Sequence, residues 1–431
     1  MSARTLFRNA RLLDPASGLD RLGDLMVEDG KIAALGPALA RDGLGSDIAI
    51  VDCGGACLAP GLVDIRVQLG EPGAEHKETM TTGGLAAAAG GVTTMVALPN
   101  TEPVIDELAL VEFVARRARD IALANVRTYA AATKGLKGRE LTEMGLLAAA
   151  GAVAFTDGTA AIADTLVMRR ALSYASTFDL LVVQHPEEPS LAMGGAMNEG
   201  EIATRLGLPA ISPAAEIIML ERDLRLVEIT GARYHAAHVS TAAAIDAIRR
   251  AKARGLRVSC DTAPHYFALN ETAVGEYRTF AKVSPPLRSE PDRRAVVEGL
   301  ADGTIDAIAS DHTPQDQESK RLPFASAEYG IVGLETLLPL ALELYHNGHL
   351  GLLEVLRKLT ARPAELLRLP AGRIEAGAPA DLVLFDLDRP WRIDVDGFHS
   401  KCKNAPYEGR PVQGRLIRTV LAGRSVFIAK G

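Results

Sequence analysis

The chain lacks the sequence features of several large protein classes. It contains only four cysteines among 431 residues, Cys53, Cys57, Cys260 and Cys402, and no second pair completes a zinc framework. We therefore expect free thiols in a reducing cytoplasm. No run of about 18 apolar residues is available to span a bilayer, and we read no signal peptide at the start. The net charge is −7 without a basic stripe, which argues against a nucleic-acid partner.

The distribution of strand-like and helix-like stretches predicts one large domain and one small domain. Short strand-like pieces separated by Gly and Asp fill residues 1–57 and again residues 372–431, and we expect these two segments to pair into one small sheet domain. Between them, over residues 58–371, eight apolar runs alternate with helical stretches. This pattern favours a parallel sheet, and at this length it predicts an α/β protein with an eight-stranded (β/α)8 barrel.

The first barrel strand, predicted over Leu62–Leu69, ends in an unusual polar pattern. Within "PGLVDIRVQLGEPG", Asp64, Arg66 and Gln68 alternate with apolar residues. Strand side chains alternate with a period of two, so we expect these three to share one face. In such barrels the active site lies at the carboxyl ends of the strands, and this face is therefore expected at a site.

Polar residues also end most of the other predicted strands. Histidine and carboxylate side chains converging on a barrel mouth indicate a zinc-type site, because these ligands suit that metal. His235 lies three residues before His238, and we therefore expect it to face the opposite side of the strand with a structural role. The polar residues at the strand ends are Asn100, Asp157, His185, His238, His265, Asp311, His312 and Gln315.

Long stretches of the chain resemble the dihydroorotase family of the amidohydrolase superfamily. They include "APGLVD", "EPGAEHKETMTTGGLAAAAGGVTTMVALPNTEPV", "MNEGEIATRLGLP", "HVST", "KVSPPLR" and "EGLADGTIDAIASDHTP". The resemblance runs nearly from end to end. It implies a TIM barrel of the metal-dependent hydrolase type, a small β-sandwich composed of both termini, and a place in pyrimidine biosynthesis.

The chain departs from the family pattern at several positions that the resemblance assigns to zinc or substrate. Arg66 and Gln68 replace the two histidines of the family's H-x-H motif, and Gly158 replaces its bridging carboxylate. Gly70 replaces the arginine that would bind the substrate carboxylate. Ser284 replaces an asparagine and Gln315 a histidine at the substrate. The positions that match the family are Asn100 for substrate, His185 and His238 for metal, and Asp311 as general acid/base.

The replacements lead to our main expectation. Arg66 would stand in place of a metal ion and pair with Asp311 or Asp157, since two cations a few ångströms apart in a partly desolvated site repel each other. The protein would then bind no cofactor and lack dihydroorotase activity. By resemblance to homologues with a degraded site, it would be a cytoplasmic structural subunit assembled with aspartate carbamoyltransferase in an oligomer.

Two alternatives remain open at this stage. In the first, His185, His238 and Asp157 hold a single zinc ion, Asp311 is the base, and the substrate is dihydroorotate or another cyclic amide such as a hydantoin. In the second, the barrel is a small-molecule sensor with an apo pocket. The segment 314–330 matches a loop near the family's site, and it either closes over the site or meets a partner.

Overall fold

The computed structural model describes residues 4–37, 39 and 48–430. Its strands are β1 (Arg4–Asp14), β2 (Leu19–Glu28), β3 (Lys31–Gly36), β4 (Ile48–Asp52), β5 (Cys57–Pro60), β6 (Leu62–Val67), β7 (Val92–Ala97), β8 (Asn125–Thr128), β9 (Leu181–Gln184), β10 (Met197–Asn198), β11 (Ala210–Ile211), β12 (Arg233–Ala236), β13 (Val258–Thr262), β14 (Ala307–Ile308), β15 (Leu382–Arg392), β16 (Pro411–Leu421) and β17 (Arg424–Ile428).

Helices occupy most of the connections between the barrel strands. They are α1 (Met80–Gly90), α2 (Leu108–Ile121), α3 (Met144–Ala149), α4 (Thr165–Thr177), α5 (Pro189–Ala192), α6 (Glu201–Leu206), α7 (Ala214–Thr230), α8 (Ala242–Ala253), α9 (Pro264–Ala268), α10 (Glu290–Ala301), α11 (Gln317–Arg321), α12 (Leu337–His346), α13 (Leu352–Leu359) and α14 (Ala361–Leu367). None of the helices in the described ranges is both long and apolar enough to cross a membrane.

The barrel strands are parallel and form a closed ring. One arc joins β6, β7 and β8, and the other joins β9, β12, β13 and β14. Phe155 links the arcs through parallel bridges to Ala130 and Val182, and the bridge between Val67 and His312 closes the ring. The predicted fourth strand is therefore reduced to the bridges at Phe155, and the buried Asp157 follows two residues later.

Local sequence determines how each strand passes into its helix at the mouth. After β12, Thr241 caps α8 by accepting a hydrogen bond from the Ala244 N–H, and a threonine in this position satisfies an otherwise free amide of the first turn. The apolar residues of α8 repeat at helical spacing and are buried against the barrel. The polar end of β12 is thereby anchored between a packed strand and a capped helix.

The two chain termini build a single sheet of eight strands. Its order is β17-β16-β15-β5-β1-β2-β3, with β4 paired to β1. The central pairing joins Leu382–Phe385 of β15 to Cys57–Pro60 of β5. The sheet therefore extends three residues past the predicted boundary at residue 57. On the barrel side, the Thr419 hydroxyl donates to the Ala88 carbonyl oxygen over 2.6 Å, which ties the sandwich to α1.

Candidate active site

A buried ion pair lies at the mouth of the barrel. The Arg66 Nε–H donates to Asp311 Oδ1 over 3.2 Å, and its Nη2 donates to the Gly158 carbonyl oxygen over 3.4 Å. The Arg66 side chain is only 2% exposed. The predicted pairing of Arg66 is therefore present with Asp311, whereas Asp157 takes no part in it.

His238 lies between two carboxylates beside this pair. Its Nδ1 is 2.5 Å from Asp261 Oδ1, and its Nε2 is 3.2 Å from Asp311 Oδ1. The Nε2 contact lacks the alignment of a hydrogen bond, so this atom has no hydrogen-bond partner among the described residues. The imidazole is thus fixed on one side and open on the side that faces Asp311.

His238 and Asp311 both favour their charged forms although both side chains are buried. Burial opposes the imidazolium of His238, but the charges of Asp261 and Asp311 outweigh it and raise the pKa of His238 to about 9. Burial likewise opposes the Asp311 carboxylate, but His238 and Arg66 hold its pKa at about 2. Asp311 is therefore a carboxylate near neutral pH.

His265, on α9 just after β13, faces the same carboxylate. Its Nε2 lies 3.9 Å from Asp311 Oδ2, and neither of its ring nitrogens has a hydrogen-bond partner among the described residues. Burial lowers the pKa of His265 to about 3, so the ring is neutral. A fully buried neutral imidazole with two unpaired nitrogens is costly unless a ligand or water satisfies them.

The polar residues of β6 and of the segment just beyond it all contact the segment that follows β14. Asp64 Oδ1 accepts from the Ser310 N–H over 3.1 Å, Arg66 meets Asp311, and Gln68 Nε2 donates to the Thr313 hydroxyl over 3.3 Å. β6 itself ends at Val67, two residues earlier than predicted. Gln68 thus makes a structural contact between two barrel segments.

Gly70 is required by the backbone at its position. Its φ is +65°, and an added Cβ would lie 2.6 Å from the Ala74 carbonyl oxygen and 2.7 Å from that of Glu78. Backbone atoms cannot move aside as a flexible side chain can. A side chain that grips substrate therefore cannot be placed here without rebuilding the turn.

Asp157 is engaged away from the ion pair. Its Oδ1 accepts from the Thr133 N–H over 2.9 Å, and its Oδ2 accepts from the Thr133 hydroxyl. Burial raises the pKa of Asp157 against these hydrogen bonds. The next residue, Gly158, has φ +70° and lies so close to Asn100 that a Cβ would overlap its Oδ1.

Two other predicted site residues, His185 and Ser284, lie together. His185 Nε2 is 3.2 Å from the Ser284 hydroxyl and 3.8 Å from Glu187 Oε2, and the same hydroxyl is 3.3 Å from Glu187 Oε2. Ser284, in the family's asparagine position, thus bridges His185 to a carboxylate. Gln315 instead donates from Nε2 to the Tyr329 carbonyl oxygen over 2.9 Å and anchors the 314–330 segment.

The predicted single-zinc ligands are not brought together. Within residues 4–37, 39 and 48–430, no three His, Cys, Asp or Glu side chains are spaced to hold a metal ion. Asp157 is bound to Thr133, and His185 and His238 have separate carboxylate partners. The described residues therefore do not fit a complete protein ligand set for zinc, and Arg66 lies against Asp311 on the side where the family pattern expects metal.

Sequence reasoning missed two residues of the site and misjudged a third. Asp261 and Glu187 were not selected, although the alternation in "RVSCDT" could have placed Asp261 on the face of its polar neighbours. His235 was expected to face away from His238, and this expectation is wrong. His235 Nε2 lies 3.1 Å from Asp261 Oδ2, because β12 ends at Ala236 and strand alternation no longer relates the two histidines.

A closed parallel barrel with a composite β-sandwich and a histidine–aspartate mouth defines a TIM-barrel protein of the amidohydrolase type. The "Dihydro-orotase-like" family model matches residues 55–244. The chain is 48% identical to a dihydroorotase of Anaplasma phagocytophilum, over 98% of this chain and 95% of that protein. It is 44% identical to a dihydroorotase of Syntrophus aciditrophicus, over 98% and 99%. The chain belongs to the dihydroorotase family.

Solved structures agree with this fold. The L-hydantoinase (dihydropyrimidinase) of Arthrobacter aurescens superposes with a TM-score of 0.87 at 25% identity, covering 99% of this chain and 97% of that one. The dihydropyrimidinase of Brevibacillus agri superposes with a TM-score of 0.84 at 24% identity, covering 98% and 94%. The predicted barrel with a sandwich is therefore confirmed.

These relatives correct two expectations drawn from the replaced residues. Relatives of 43–48% identity over nearly the whole chain are named dihydroorotase, so the expectation of an inactive structural subunit is wrong. The expectation that no cofactor is bound is wrong for the same reason, since dihydroorotases and hydantoinases are metal-dependent amidohydrolases. The alternative of an active hydrolase fits these relatives better.

Proposed function

We propose that the protein is a hydrolase of small cyclic amides, with dihydroorotate as its first candidate substrate. The observation that carries the proposal is a group of buried polar atoms around Asp311 that have no hydrogen-bond partner among the described residues. The group comprises Arg66 Nη1, His238 Nε2 and both ring nitrogens of His265. Such atoms are rare in folded proteins because each costs about 1–3 kcal/mol. A cyclic amide, with ring N–H and C=O groups, supplies complementary donors and acceptors.

Asp311 is the residue we assign to proton transfer. Opening a cyclic amide requires removal of a proton from the attacking water and delivery of a proton to the leaving nitrogen. Asp311 is ionised, lies between Arg66 and His238, and sits at the carboxyl end of its strand, where barrel enzymes place their chemistry. Its φ of +50° is uncommon for a non-glycine residue, and such strain concentrates at functional sites.

Arg66 supports an anionic substrate. The family arginine that would grip a carboxylate is replaced by Gly70, which has no room for a side chain. Arg66 uses Nε and Nη2 within the protein, and its Nη1 has no hydrogen-bond partner in the part of the chain that the structure describes. A charge-assisted hydrogen bond from Nη1 to a substrate carboxylate would replace the missing contact. Asn100 is the second group we assign to substrate, since its buried Oδ1 also has no hydrogen-bond partner within residues 4–37, 39 and 48–430.

A hydantoin is the second candidate substrate. The superposition on the L-hydantoinase of Arthrobacter aurescens covers nearly the whole of both chains at 25% identity. A hydantoin carries the same cyclic amide without the carboxylate of dihydroorotate. Dihydroorotate would therefore need the contact from Arg66 Nη1 to its carboxylate, whereas a hydantoin would not.

The experiment is a substrate panel with defined metal content. The purified protein is assayed as isolated, after treatment with a chelator, and after addition of zinc. L-dihydroorotate, N-carbamoyl-L-aspartate and hydantoin are tested in each state. We expect turnover of dihydroorotate and carbamoyl aspartate in at least one state. The absence of turnover of all three compounds in all three states would refute the proposal.

Association with aspartate carbamoyltransferase and oligomerisation follow from the family resemblance, and a cytoplasmic location follows from the cysteine usage; all three stay predictions. Co-expression with an aspartate carbamoyltransferase, followed by size-exclusion chromatography, tests the first two together. We expect the two chains to elute as one complex, and separate elution at micromolar concentration would contradict the association.

A further inference from the structure

A cavity of about 760 Å³ lies between the 314–330 segment and residues 395–408. Residue 76 and residues 278–280 complete its lining. Within the described residues, neither Arg66, His238, His265 nor Asp311 belongs to this lining. The cavity is therefore separate from the site to which the proposed function belongs.

We propose that this basic cavity binds a small molecule that carries phosphate groups. Five cationic side chains line it against three carboxylates, although the whole chain has a net charge of −7. The cations are Arg278, Lys320, Arg321, Lys401 and Lys403. Like charges gathered around one space repel each other, and an anion bound between them relieves that repulsion.

The five cations have no carboxylate partner of their own. Among the residues that the structure describes, none of them forms an ion pair, and the side chains of Arg278 and Arg321 are exposed and make no hydrogen bond. Lys320, Lys401 and Lys403 donate from Nζ to the carbonyl oxygens of Glu328, Glu75 and Ser400, over 2.6, 2.6 and 3.0 Å respectively. A carbonyl oxygen carries no net charge, so all five positive charges are left to attract an anion.

The carboxylates of the lining do not neutralise these cations. Asp316 Oδ1 accepts from the Ser319 N–H over 2.9 Å and caps α11. Glu408 Oε2 accepts from the Val395 N–H over 2.7 Å. The third carboxylate, Asp396, is exposed to solvent. The excess of positive charge therefore persists inside the cavity.

Gln315 provides an independent sign of a ligand. Its side chain lines the cavity and is 8% exposed, and its Oε1 has no hydrogen-bond partner within the described ranges. A buried acceptor of this kind is costly unless a ligand or water donates to it. The half-buried ring of Phe280 and the buried Val395 and Ala405 add an apolar part to the lining. The cavity can therefore hold an organic group with a donor beside its phosphates.

The placement of the cations favours phosphate over a carboxylate. Arg278 lies between α9 and α10, Arg321 ends α11, and Lys403 lies between β15 and β16, so positive charge comes from three separate parts of the chain. A phosphate presents oxygens in a tetrahedral arrangement, whereas a carboxylate presents two in one plane, which a single guanidinium fork can match. The volume also fits, because sites for small organic ligands measure about 300–1,000 Å³.

The test is isothermal titration calorimetry of the purified full-length protein with pyrophosphate, in a phosphate-free buffer of low ionic strength. Arg278→Gln/Arg321→Gln removes two cations that have no internal contact to lose. Arg169→Gln/Arg170→Gln is the matched control, since it removes two exposed arginines of α4 that lie outside the cavity lining. We expect Kd for pyrophosphate to rise at least about tenfold in the first variant, through the loss of two charge-assisted contacts, and less than about twofold in the control.

Two further compounds define the ligand chemistry. Succinate, a dicarboxylate, should bind at least about tenfold more weakly than pyrophosphate. ADP should bind at least as tightly as pyrophosphate, because its base can contact Phe280 and donate to Gln315 Oε1. Weaker binding of ADP would still support the phosphate site and assign it to inorganic phosphate. Succinate binding as tight as that of pyrophosphate would overturn the assignment to phosphate.

Hydrogen exchange measured by mass spectrometry localises the site. We expect pyrophosphate to slow exchange in peptides that cover residues 315–321 and 395–408 of the wild type, but not of Arg278→Gln/Arg321→Gln. Pyrophosphate held by a metal ion at the barrel mouth would instead bind both double variants alike. That result, or no binding of pyrophosphate and ADP at millimolar concentration, would overturn the inference. Neither measurement requires turnover, so the outcome is independent of the proposed function.

Discussion

Arg66 and Asp311 form an ion pair that is almost completely removed from solvent. Removing one partner of such a pair leaves an uncompensated buried charge, which costs about 3–5 kcal/mol. We therefore expect Arg66→Met to lower the free energy of unfolding by about that amount in urea titrations. The double variant Arg66→Met/Asp311→Asn should lose less than the sum of the single changes, and strict additivity would contradict the pairing.

Neither ring nitrogen of His265 has a hydrogen-bond partner among the residues that the structure describes, which predicts opposite effects of a substitution on stability and on substrate binding. Replacing unsatisfied buried polar atoms by apolar ones is close to neutral or stabilising. His265→Phe should therefore leave the free energy of unfolding unchanged or raised, yet raise KM at least about tenfold, a loss of about 1.4 kcal/mol of binding.

The neighbouring Tyr266 provides the control for this variant. Its hydroxyl donates to the Pro285 carbonyl oxygen over 2.7 Å. Tyr266→Phe should lower stability by about 1 kcal/mol without changing KM. A His265→Phe protein with the wild-type KM would show that these nitrogens do not meet substrate.

At the scale of elements, the turn after the reduced fourth strand supports the mouth. Gly158→Ala places a Cβ on the Asn100 side chain in addition to the strain of φ +70°. Gly138 has a similar φ of +63° but no atom within 4 Å of an added Cβ. Both alanine variants should therefore lose about 1–2 kcal/mol of stability to backbone strain. Only Gly158→Ala should also raise KM, by displacing Asn100, and an equal KM in the two variants would contradict this.

The packing of α7 against β12 buries Asp223, which predicts a pH effect on stability. Burial outweighs Arg222 and raises the pKa of Asp223 to about 6, while its Oδ2 accepts from the Tyr234 hydroxyl over 3.0 Å. Because the folded-state pKa is raised, the stability from this group is fully present below about pH 4 and is lost as the pH rises through 6.

We expect Asp223→Asn to remove this dependence. The difference in unfolding free energy between the variant and the wild type should change by on the order of 3 kcal/mol between pH 4 and pH 7, favouring the variant at the higher pH. Urea titrations of both proteins at four pH values measure this difference in unfolding free energy. A difference that stays constant with pH would show that Asp223 does not titrate in this range.

At the scale of the whole molecule, both termini share one sheet that packs on the barrel. Trp391, the only tryptophan, lies in β15 and donates from Nε1 to the Gly414 carbonyl oxygen over 3.1 Å. Because β16 also bonds to α1, we expect the sandwich and the barrel to unfold together. Tryptophan fluorescence and far-UV circular dichroism should then give coincident urea transitions.

A core variant in the sandwich extends this prediction. Phe385 is fully buried in β15, and Phe385→Ala should cost about 3–5 kcal/mol. Both transitions should shift to lower urea by the same amount. Two separate transitions, with only the fluorescence shifted, would show that the domains are independent.

The architecture could be predicted from sequence because it depends on repeated patterns. The alternation of apolar runs and helices indicated the barrel, and the strand-rich ends indicated the shared sheet. A pairing of Arg66 with Asp311 or Asp157 was predictable because opposite charges in a desolvated site must meet, and the structure shows that the partner is Asp311. Family motifs then identified His185, His238 and Asp311.

The contacts that orient these residues could not be read in the same way. Asp261 contacts His238 and His235 on the neighbouring strand segment, and Asp157 accepts hydrogen bonds from Thr133. The spacing of residues along the sequence does not indicate such contacts between distant segments. The inactivity inferred from Arg66, Gln68 and Gly158 was wrong, since a relative that is 48% identical over 98% of this chain is named dihydroorotase.

The most direct test of the central claim is the rate of interconversion of L-dihydroorotate and N-carbamoyl-L-aspartate by the purified, zinc-supplemented protein and by Asp311→Asn. The exchange keeps the shape of the residue but removes its ability to accept a proton at neutral pH. We predict turnover by the wild type and a loss of at least about 100-fold in kcat for Asp311→Asn, as expected for an acid/base residue. Equal rates for the two proteins, or no turnover by the wild type, would contradict a hydrolase centred on Asp311.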